Sequence, residues 1–384
     1  MEVISPLFMG GADPRSEPEL RVPSIRGAMR YWLRALTGAA GEEFARQLEE
    51  RLFGVAGDKD AAAGTISLRL EAPNSYQRQT YDQIVGSGSS TRRGASYLWF
   101  AARGTRSERA RSAIVQGTRF KLHLHATRSS EPEFDLRQAL VALWALSIFG
   151  GVGARSRRFA GAIQITAIPS DPALHRAFCV QSPDSNSLAQ EISVKLRALG
   201  MKACASAESD FDSIHPHTCQ IFVLRQTFSD VVDLVDSVGI AYLNFRRSQS
   251  DAAAFAKAVF ERDNQALKNS LRHAFGLPIP FYYKGSETSA TLQAKQGEKQ
   301  IDRRASPLWM QVVRLASGQH AAVFTWFHGT RFLPQDARIA MQDSRTRTTL
   351  AEALVPDGKE QRELVLGFFE EIKNQFGLIP VNIS

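Results

Sequence analysis

Thirteen residues, Phe149–Gly161 (FGGVGARSRRFAG), hold four glycines, three arginines and no acid. Glycine lets one backbone approach another closely, and guanidinium groups bind phosphate oxygens in pairs, so the combination points to phosphate chemistry. Two phosphates would serve, that of a nucleotide cofactor or that of a nucleic-acid backbone. A Walker-type loop runs from strand to helix and ends Gly-Lys-Ser/Thr, and the dinucleotide fingerprint also runs strand to helix. Here the loop follows Leu136–Phe149, which is apolar around nearly its whole circumference and reads as a buried helix, and it precedes the strand-like Ala162–Ile168. The order is helix to strand and the Gly-Lys ending is missing, so no nucleotide cofactor is expected, nor any other. A plain alternative for Gly150 or Gly151 is a helix stop.

A second basic feature is PSIRGAMRYWLRAL, Pro23–Leu36. Arg26, Arg30 and Arg34 recur every four residues and so form one stripe of a helix, while Met29, Leu33 and Leu36, flanked by Trp32, supply an apolar face. No acid occurs from Val22 to Gly41, which leaves the stripe without a partner nearby in the chain. A charged stripe is ordinarily a solvated face, but such faces usually mix signs. A one-sign stripe behind a helix start at Ser24 suits a track for phosphates.

Enzyme signatures are sparse. There is no Gly-x-Ser-x-Gly, no His-Glu-x-x-His and no paired-carboxylate motif. His215-Pro-His217 with Cys219 lacks further ligands, so no metal site is expected. His123 and His125 share a strand face, which reads as sheet surface. Asp13 reads as a turn aspartate before proline, with acid–base work on RNA as the functional alternative. No RNP1 motif is present, so the base stacking of ordinary RNA-recognition motifs is not expected.

The 384 residues carry 47 Lys plus Arg against 39 Asp plus Glu, a net charge of +8. Such a balance favours polyanions, either nucleic acid or an anionic membrane, or simply serves solubility. Cys179, Cys204 and Cys219 show no CxxC spacing, which argues against a disulfide framework and suits a reducing cytosol. The start, MEVISPLFMGG, lacks the pattern of a signal peptide, and the apolar run Ala139–Phe149 falls short of the roughly 20 residues that span a bilayer. A soluble cytoplasmic protein with no membrane partner is expected.

These residues need elements to position them. Met1–Met9 reads as a strand, Ile25–Leu36 as a helix capped at Ser24, and Glu42–Phe53 as a helix with Phe44, Leu48 and Leu52 on one face and Gly54 as its stop. Thr65–Glu71 and Thr118–Ala126 alternate as half-buried strands, Tyr97–Ala101 reads as a further strand, and Gly86–Gly94 as a flexible basic loop. With the buried helix and Ala162–Ile168, this is the element order of a ferredoxin-like α+β domain over residues 1–170. Residues 171–384 offer a comparable set. It comprises helices Leu188–Leu199, Phe228–Val238, Ser250–Phe275 and Gln361–Phe376, strand Cys219–Arg225, and a hairpin of Leu308–Leu315 with Ala321–Phe327. Lys284–Arg304 is polar and reads as a flexible insertion. The expected fold is α+β, with two tandem ferredoxin-like (RRM-like) domains of antiparallel sheets and helices packed on one side.

Six stretches occur in a distinctive order: ISPLFMGGADP (Ile4–Pro14), ELRVPSIRGAMRYWLRAL (Glu19–Leu36), FGGVGARSRR (Phe149–Arg158), NFRRS (Asn244–Ser248), AFGLPIPF (Ala274–Phe281) and RRASPLWMQV (Arg303–Val312). Together they resemble the RAMP superfamily of CRISPR-associated proteins, and within it the subunit-one family of the type III-B (Cmr) RNA-targeting effector complex. The resemblance runs from Ile4 to about Phe332. It implies two ferredoxin-like halves in a non-catalytic subunit near the end of that complex. Such a subunit binds the 3′ part of the CRISPR RNA, helps hold the duplex with target RNA, and contacts neighbouring RAMP subunits. The RNA contacts it implies are Arg26, Arg30 and Arg34 on the first helix, and Gly151, Gly153, Arg155, Arg157 and Arg158 in the loop. Arg246, Arg247, Arg303 and Arg304 follow from the second half. The family often continues Arg-Arg-Gly-x-Gly, whereas here Phe159 and Ala160 precede Gly161. Superfamily relatives that cleave RNA keep open a metal-independent endoribonuclease using Asp13 or His123. A scaffold with protein contacts alone is the third reading.

Overall fold

Short apolar repeats of period two and longer ones of period 3.6 build the elements in the following order. The chain starts with β1 (Glu2–Val3), α1 (Val22–Thr37), α2 (Glu42–Phe53), β2 (Ile66–Glu71) and β3 (Arg78–Thr80). Then come α3 (Tyr81–Val85), α4 (Arg93–Leu98), β4 (Ser112–Ile114), β5 (Lys121–Ala126), α5 (Pro132–Phe149) and β6 (Ile163–Gln164). The middle holds α6 (Pro172–Phe178), α7 (Ser185–Ala198), β7 (Cys219–Leu224), α8 (Val231–Ser248), α9 (Asp251–Phe260) and α10 (Asn264–Lys268). It continues with β8 (Ile279–Tyr283), β9 (Thr288–Gln296), β10 (Lys299–Ile301), β11 (Leu308–Arg314) and β12 (His320–Phe327). The last elements are β13 (Ala337–Asp343), β14 (Thr349–Leu354), α11 (Gly358–Phe376) and β15 (Leu378–Pro380). The structure, a computed structural model, describes residues 1–383 apart from positions 14, 16, 58–60, 106–107, 200–210, 250, 269–270, 284–287, 298, 302, 331–332, 335 and 356–357.

The fold is α+β, with several small antiparallel sheets. β1–β6, β2–β5 and β3–β4 are two-stranded, a four-stranded sheet runs β11-β12-β7-β15, and a five-stranded sheet runs β10-β9-β13-β14 with β8 also on β9. The chain forms two compact units that do not follow a division at residue 170. One comprises Met1–Ile240, Trp309–Gly329 and Phe376–Ser384, and the other Ala241–Leu308 and Thr330–Gln375.

The first unit is centred on α1 and α5. The apolar stripe of α1 (Ile25, Met29, Trp32, Leu33, Leu36) is buried in one cluster with Trp144, Leu146 and Phe149 of α5, and with Val223 and Val323 of the four-stranded sheet. Trp32 is fully buried, with ring centroids 5.7 Å from Phe149, 5.0 Å from Trp309 and 6.1 Å from Phe327. Helix α1 begins before the expected Ser24 cap. Its N-cap is Arg21, without a side-chain cap, and Pro23 sits in the first turn, where its fixed φ suits a helix start and its missing N–H costs nothing. In α2 the buried face is Ala45, Leu48, Glu49, Leu52 and Phe53, while Phe44 is 49% exposed instead of sharing that face.

Three further expectations change. Of Met1–Met9 only Glu2–Val3 is strand, with Leu7 bridging to Ile114, and Ala162–Ile168 shortens to Ile163–Gln164. Tyr97–Ala101 is not a strand but the end of α4 and a 3₁₀ turn over Phe100–Ala102. The reason lies in α8, where Asp236 Oδ1 accepts from the backbone N–H of Gly94 (2.7 Å) and of Ala95 (3.1 Å) and so starts a helix there. The stretch Gly86–Gly94 therefore ends in a fixed position, with Gly94 buried.

The second unit has its own core, including Phe255, Leu267, Leu292, Ile339 and Met341. The helix expected over Ser250–Phe275 is divided into α9, α10 and a 3₁₀ turn, with Arg262 between α9 and α10 at φ +55°, and Ser250 itself lies outside the described residues. The expected insertion Lys284–Arg304 contains β9, which pairs with β8, β10 and β13, and whose Ala290, Leu292 and Ala294 are fully buried. Positions 284–287, 298 and 302 of that stretch lie outside the described residues. Among the described residues no helix is long and apolar enough to cross a membrane.

Two glycines of the first unit make opposite predictions. A Cβ at Gly94 would stand 2.0 Å from Asp236 O and 2.5 Å from Ile240 N, both backbone atoms that do not yield. Gly94→Val is expected to lower unfolding stability by about 1–3 kcal/mol or more in urea titrations. Gly27, in α1, has no atom within 4 Å of a Cβ, so Gly27→Ala is expected to raise stability by roughly 0.5–1 kcal/mol in the same measurement.

Candidate nucleic-acid interface

The loop that leaves α5 is stitched to two other segments of the first unit. Residues 4–9 run beside it. Gly161 N donates to Pro6 O (3.0 Å), Ala154 N to Phe8 O (2.8 Å) and Val152 N to Gly161 O (2.9 Å), while Ser5 Oγ donates to Phe159 O and accepts from Ala162 N. β11 makes the second attachment, with Phe159 N donating to Met310 O (2.8 Å) and Met310 N to Arg157 O (3.3 Å). Gly153 and Gly161 adopt φ of +82° and +68°, and a Cβ there would stand 2.6 Å from Phe8 O and 1.9 Å from Val152 O respectively. Gly151 is buried, facing Ala160 O. These glycines let protein backbone approach protein backbone. Phe159, at φ +65°, is fully buried edge-on to Phe324 (6.1 Å, 81°), so its ring packs the loop.

Each loop arginine also has contacts inside the protein. Arg155 Nε donates to Leu98 O (2.6 Å), with its guanidinium 4.9 Å from the Phe100 ring centroid. The Arg157 guanidinium lies 4.3 Å from the Trp309 ring and 5.4 Å from Tyr31, and one of its nitrogens is 3.8 Å from Asp212. The Tyr31 hydroxyl donates to Asp212 Oδ2 (2.5 Å) and accepts from Trp309 Nε1 (3.0 Å). Burial, reinforced by the Asp212 charge, holds that hydroxyl well above the usual tyrosine pKa. Arg158 is buried, with Nη1 donating to Arg157 O (2.8 Å), and its own carbonyl accepts from Trp99 Nε1 (2.8 Å).

The stripe on α1 does have an acidic partner, contrary to what its own segment suggested. Glu49 of α2 is shared, with Oε1 2.5 Å from Arg30 Nε and Oε2 2.5 Å from Arg34 Nη1. Arg30 Nη1 also donates to Gly54 O (3.0 Å). One carboxylate facing two guanidinium groups leaves an excess of positive charge, and the side chains of Arg30 and Arg34 remain 31% and 37% exposed. Arg26 makes no ion pair among the described residues. Glu49 was missed because its partners are distant in sequence. The usable signal was an acid on the buried face of an amphipathic helix, which requires a cation beside it.

In the second unit Arg246 ends α8 with its guanidinium 5.7 Å from the Tyr242 ring and 5.9 Å from Phe275, and Arg247 is exposed. Arg304 exchanges backbone hydrogen bonds with Leu277 and donates through Nη1 to Ala305 O (3.1 Å), whereas Arg303 is exposed. The groups considered for acid–base or metal chemistry have local roles. Asp13 Oδ1 accepts from Arg15 N (2.9 Å) in a turn, and His123 Nε2 lies 3.3 Å from Glu71, which Lys121 also pairs. His215 Nδ1 accepts from His217 N (3.3 Å) and burial lowers its pKa, while burial pushes the Cys219 thiol well up. Among the described residues no group of three or more His, Cys, Asp or Glu is placed to hold a metal ion.

Comparison with known proteins agrees with this architecture. Residues 1–164 match the family model of the RAMP superfamily. The chain is 29% identical over 330 residues to CRISPR system Cmr subunit Cmr1-1 of Pyrococcus furiosus, covering 82% of each protein. It is 32% identical over 177 residues to Cmr subunit Cmr1-2 of the same organism, covering 43% of this chain and 92% of that relative. The fold is similar to the crystal structure of apo Cmr1 from Pyrococcus furiosus, with a TM-score of 0.59 at 20% identity over 99% of this chain and 96% of that one. It is also similar to a chain in the cryo-EM structure of the type III-B Cmr-beta complex bound to cognate target RNA, with a TM-score of 0.54 at 11% identity over 97% and 98%. With a 32% identical relative matched over 92% of its length and the same α+β fold, this chain belongs to the Cmr1 family of the RAMP superfamily.

Proposed function

We propose that the chain is an RNA-binding subunit of a type III-B Cmr effector complex with no chemistry of its own. It binds the 3′ region of the CRISPR RNA and helps capture target RNA for antiviral defence, in contact with other RAMP subunits. Membership of the Cmr1 family carries this reading, since the curated relatives are Cmr subunits. The physical support is charge. The net +8 and the arginine excess on α1 suit a polyanion, and backbone contacts of this kind are nearly independent of sequence. Arg26, Arg30 and Arg34 offer positive charge on one helix face. Arg155, Arg157 and Arg158 act from a braced loop in which Gly151 and Gly153 keep the backbone close. Arg247 and Arg303, with Arg246 and Arg304 beside them, offer further contacts on the second unit.

Binding to single-stranded RNA is expected to weaken steeply with salt, with a slope of about 0.7 in log K per phosphate contacted. Replacing Arg155, Arg157 and Arg158 together by Ala is expected to reduce that slope, and the contacts described above add a loss of thermal stability. An unchanged slope would remove the loop from the interface. The purified chain is expected to leave CRISPR transcripts and target RNA intact in the absence of metal. Cleavage that Asp13→Ala or His123→Ala abolishes would instead establish an endoribonuclease.

A further inference from the structure

The first unit contains a concave site of about 690 Å³ whose lining includes Arg26, Arg30, Gly54, Ser67, Thr127 and Arg128. We propose that it seats one phosphate of a bound RNA strand, and that the outer face of the β2–β5 ribbon carries the adjoining nucleotides. The proposal rests on the RNA-binding reading and assigns it a place.

Among the described residues the lining has three arginines and no acid. Arg30 reaches Glu49 from one side of the site, while neither Arg26 nor Arg128 has an ion-pair partner among the described residues. The Nε of Arg26 is shielded from solvent with no hydrogen-bond acceptor among the described residues. A shielded donor without a partner is unfavourable. Arg128 leaves the end of β5 at φ +58°, an uncommon conformation for a residue with a side chain. The volume lies within the usual range for small-ligand sites and accommodates a nucleotide.

The site continues onto the ribbon. In the β2–β5 register Ser67 opposes His125 and Arg69 opposes His123. Leu68, Leu70, Leu122 and Leu124 pack against the core, which leaves Ser67, Arg69, Glu71, Lys121, His123 and His125 on the other face, where Glu71 is paired by Lys121 and lies 3.3 Å from His123 Nε2. Ser67 belongs to both the concave site and this face. The rings of His123 and His125 are nearly parallel (7°) with centroids 6.1 Å apart, and they offer flat surfaces on which unpaired bases stack. A strand with a phosphate between Arg26 and Arg128 thus meets an imidazole face at its next positions.

The test uses the full chain, fluorescein-labelled single-stranded RNA and anisotropy titrations from 50 to about 200 mM salt. Arg128→Gly removes the guanidinium and keeps the left-handed backbone, which glycine adopts freely. Arg26→Met keeps the buried stem. Each is expected to weaken binding about 3- to 10-fold and to lower the salt slope by roughly 0.7, the value of one phosphate contact. Arg176→Ala, on α6 and away from the site, is expected to change neither, and thermal melting verifies that all variants fold. Wild-type binding with unchanged affinity and slope in both site variants overturns the pocket and leaves RNA binding standing. An absence of RNA binding by the wild type overturns the RNA-binding reading as well. Loss of uridine monophosphate binding in the variants, with RNA affinity intact, overturns the proposal in favour of a free nucleotide.

Discussion

The burial of one indole, that of Trp32, fixes the packing of α1, the helix that carries the arginine stripe. It stands on α1 among Phe149, Trp309 and Phe327, and so ties α1 to the end of α5 and to two strands of the four-stranded sheet. Gly150 backs directly onto the ring, where a Cβ would fall 1.9 Å from Nε1. With that contact made, the rotation of α1 is settled. Its arginines point away from the core, and Glu49 of α2 comes within reach of two of them. Large aromatic clusters of this kind dominate core energetics, and removal of such a side chain ordinarily costs about 3–5 kcal/mol.

The glycine loop has a different character from the one its composition suggested. Its glycines and Phe159 serve contacts within the protein, to residues 4–9 and to β11, and its arginines are held by Leu98, Trp309, Asp212 and neighbouring carbonyls. Contacts within the protein account for the loop's conformation. A role in RNA binding therefore depends on the outward-facing parts of guanidinium groups already fixed in place. The loop resembles a splice more than a cradle.

What could be read from the sequence follows the range of the interactions. Helix α2, with Gly54 as its stop, lies where local periodicity and glycine chemistry put it, and α5 extends the expected buried helix by one turn. The strands Ile66–Glu71 and Lys121–Ala126 show the alternation on which they were assigned. Elements decided by distant partners were not legible. α4 owes its start to Asp236, more than a hundred residues away, so Tyr97–Ala101 passed for a strand. β9 is buried through small side chains, Ala290 and Ala294, between polar neighbours, and its composition resembled that of a loose insertion. At the candidate site the arginines of α1 were visible as a stripe. Arg128 was not, because a single arginine after a strand carries no periodic signal, and only its place beside Arg26 in the lining of one site gives it meaning.

The shared carboxylate of Glu49 has a consequence for recognition. An unrestrained arginine loses up to about 2 kcal/mol of rotamer entropy when it is fixed against a ligand. Arg30 and Arg34 are already restrained by Glu49 when the chain is folded, so much of that ordering precedes any encounter. Pre-organisation reduces the entropic penalty of association. In the proposed RNA-binding role, a phosphate would compete with this carboxylate for the same guanidinium groups, which would disfavour weak or badly placed anions. In that role Glu49 would stand in for the ligand, holding the two side chains in place ahead of a phosphate.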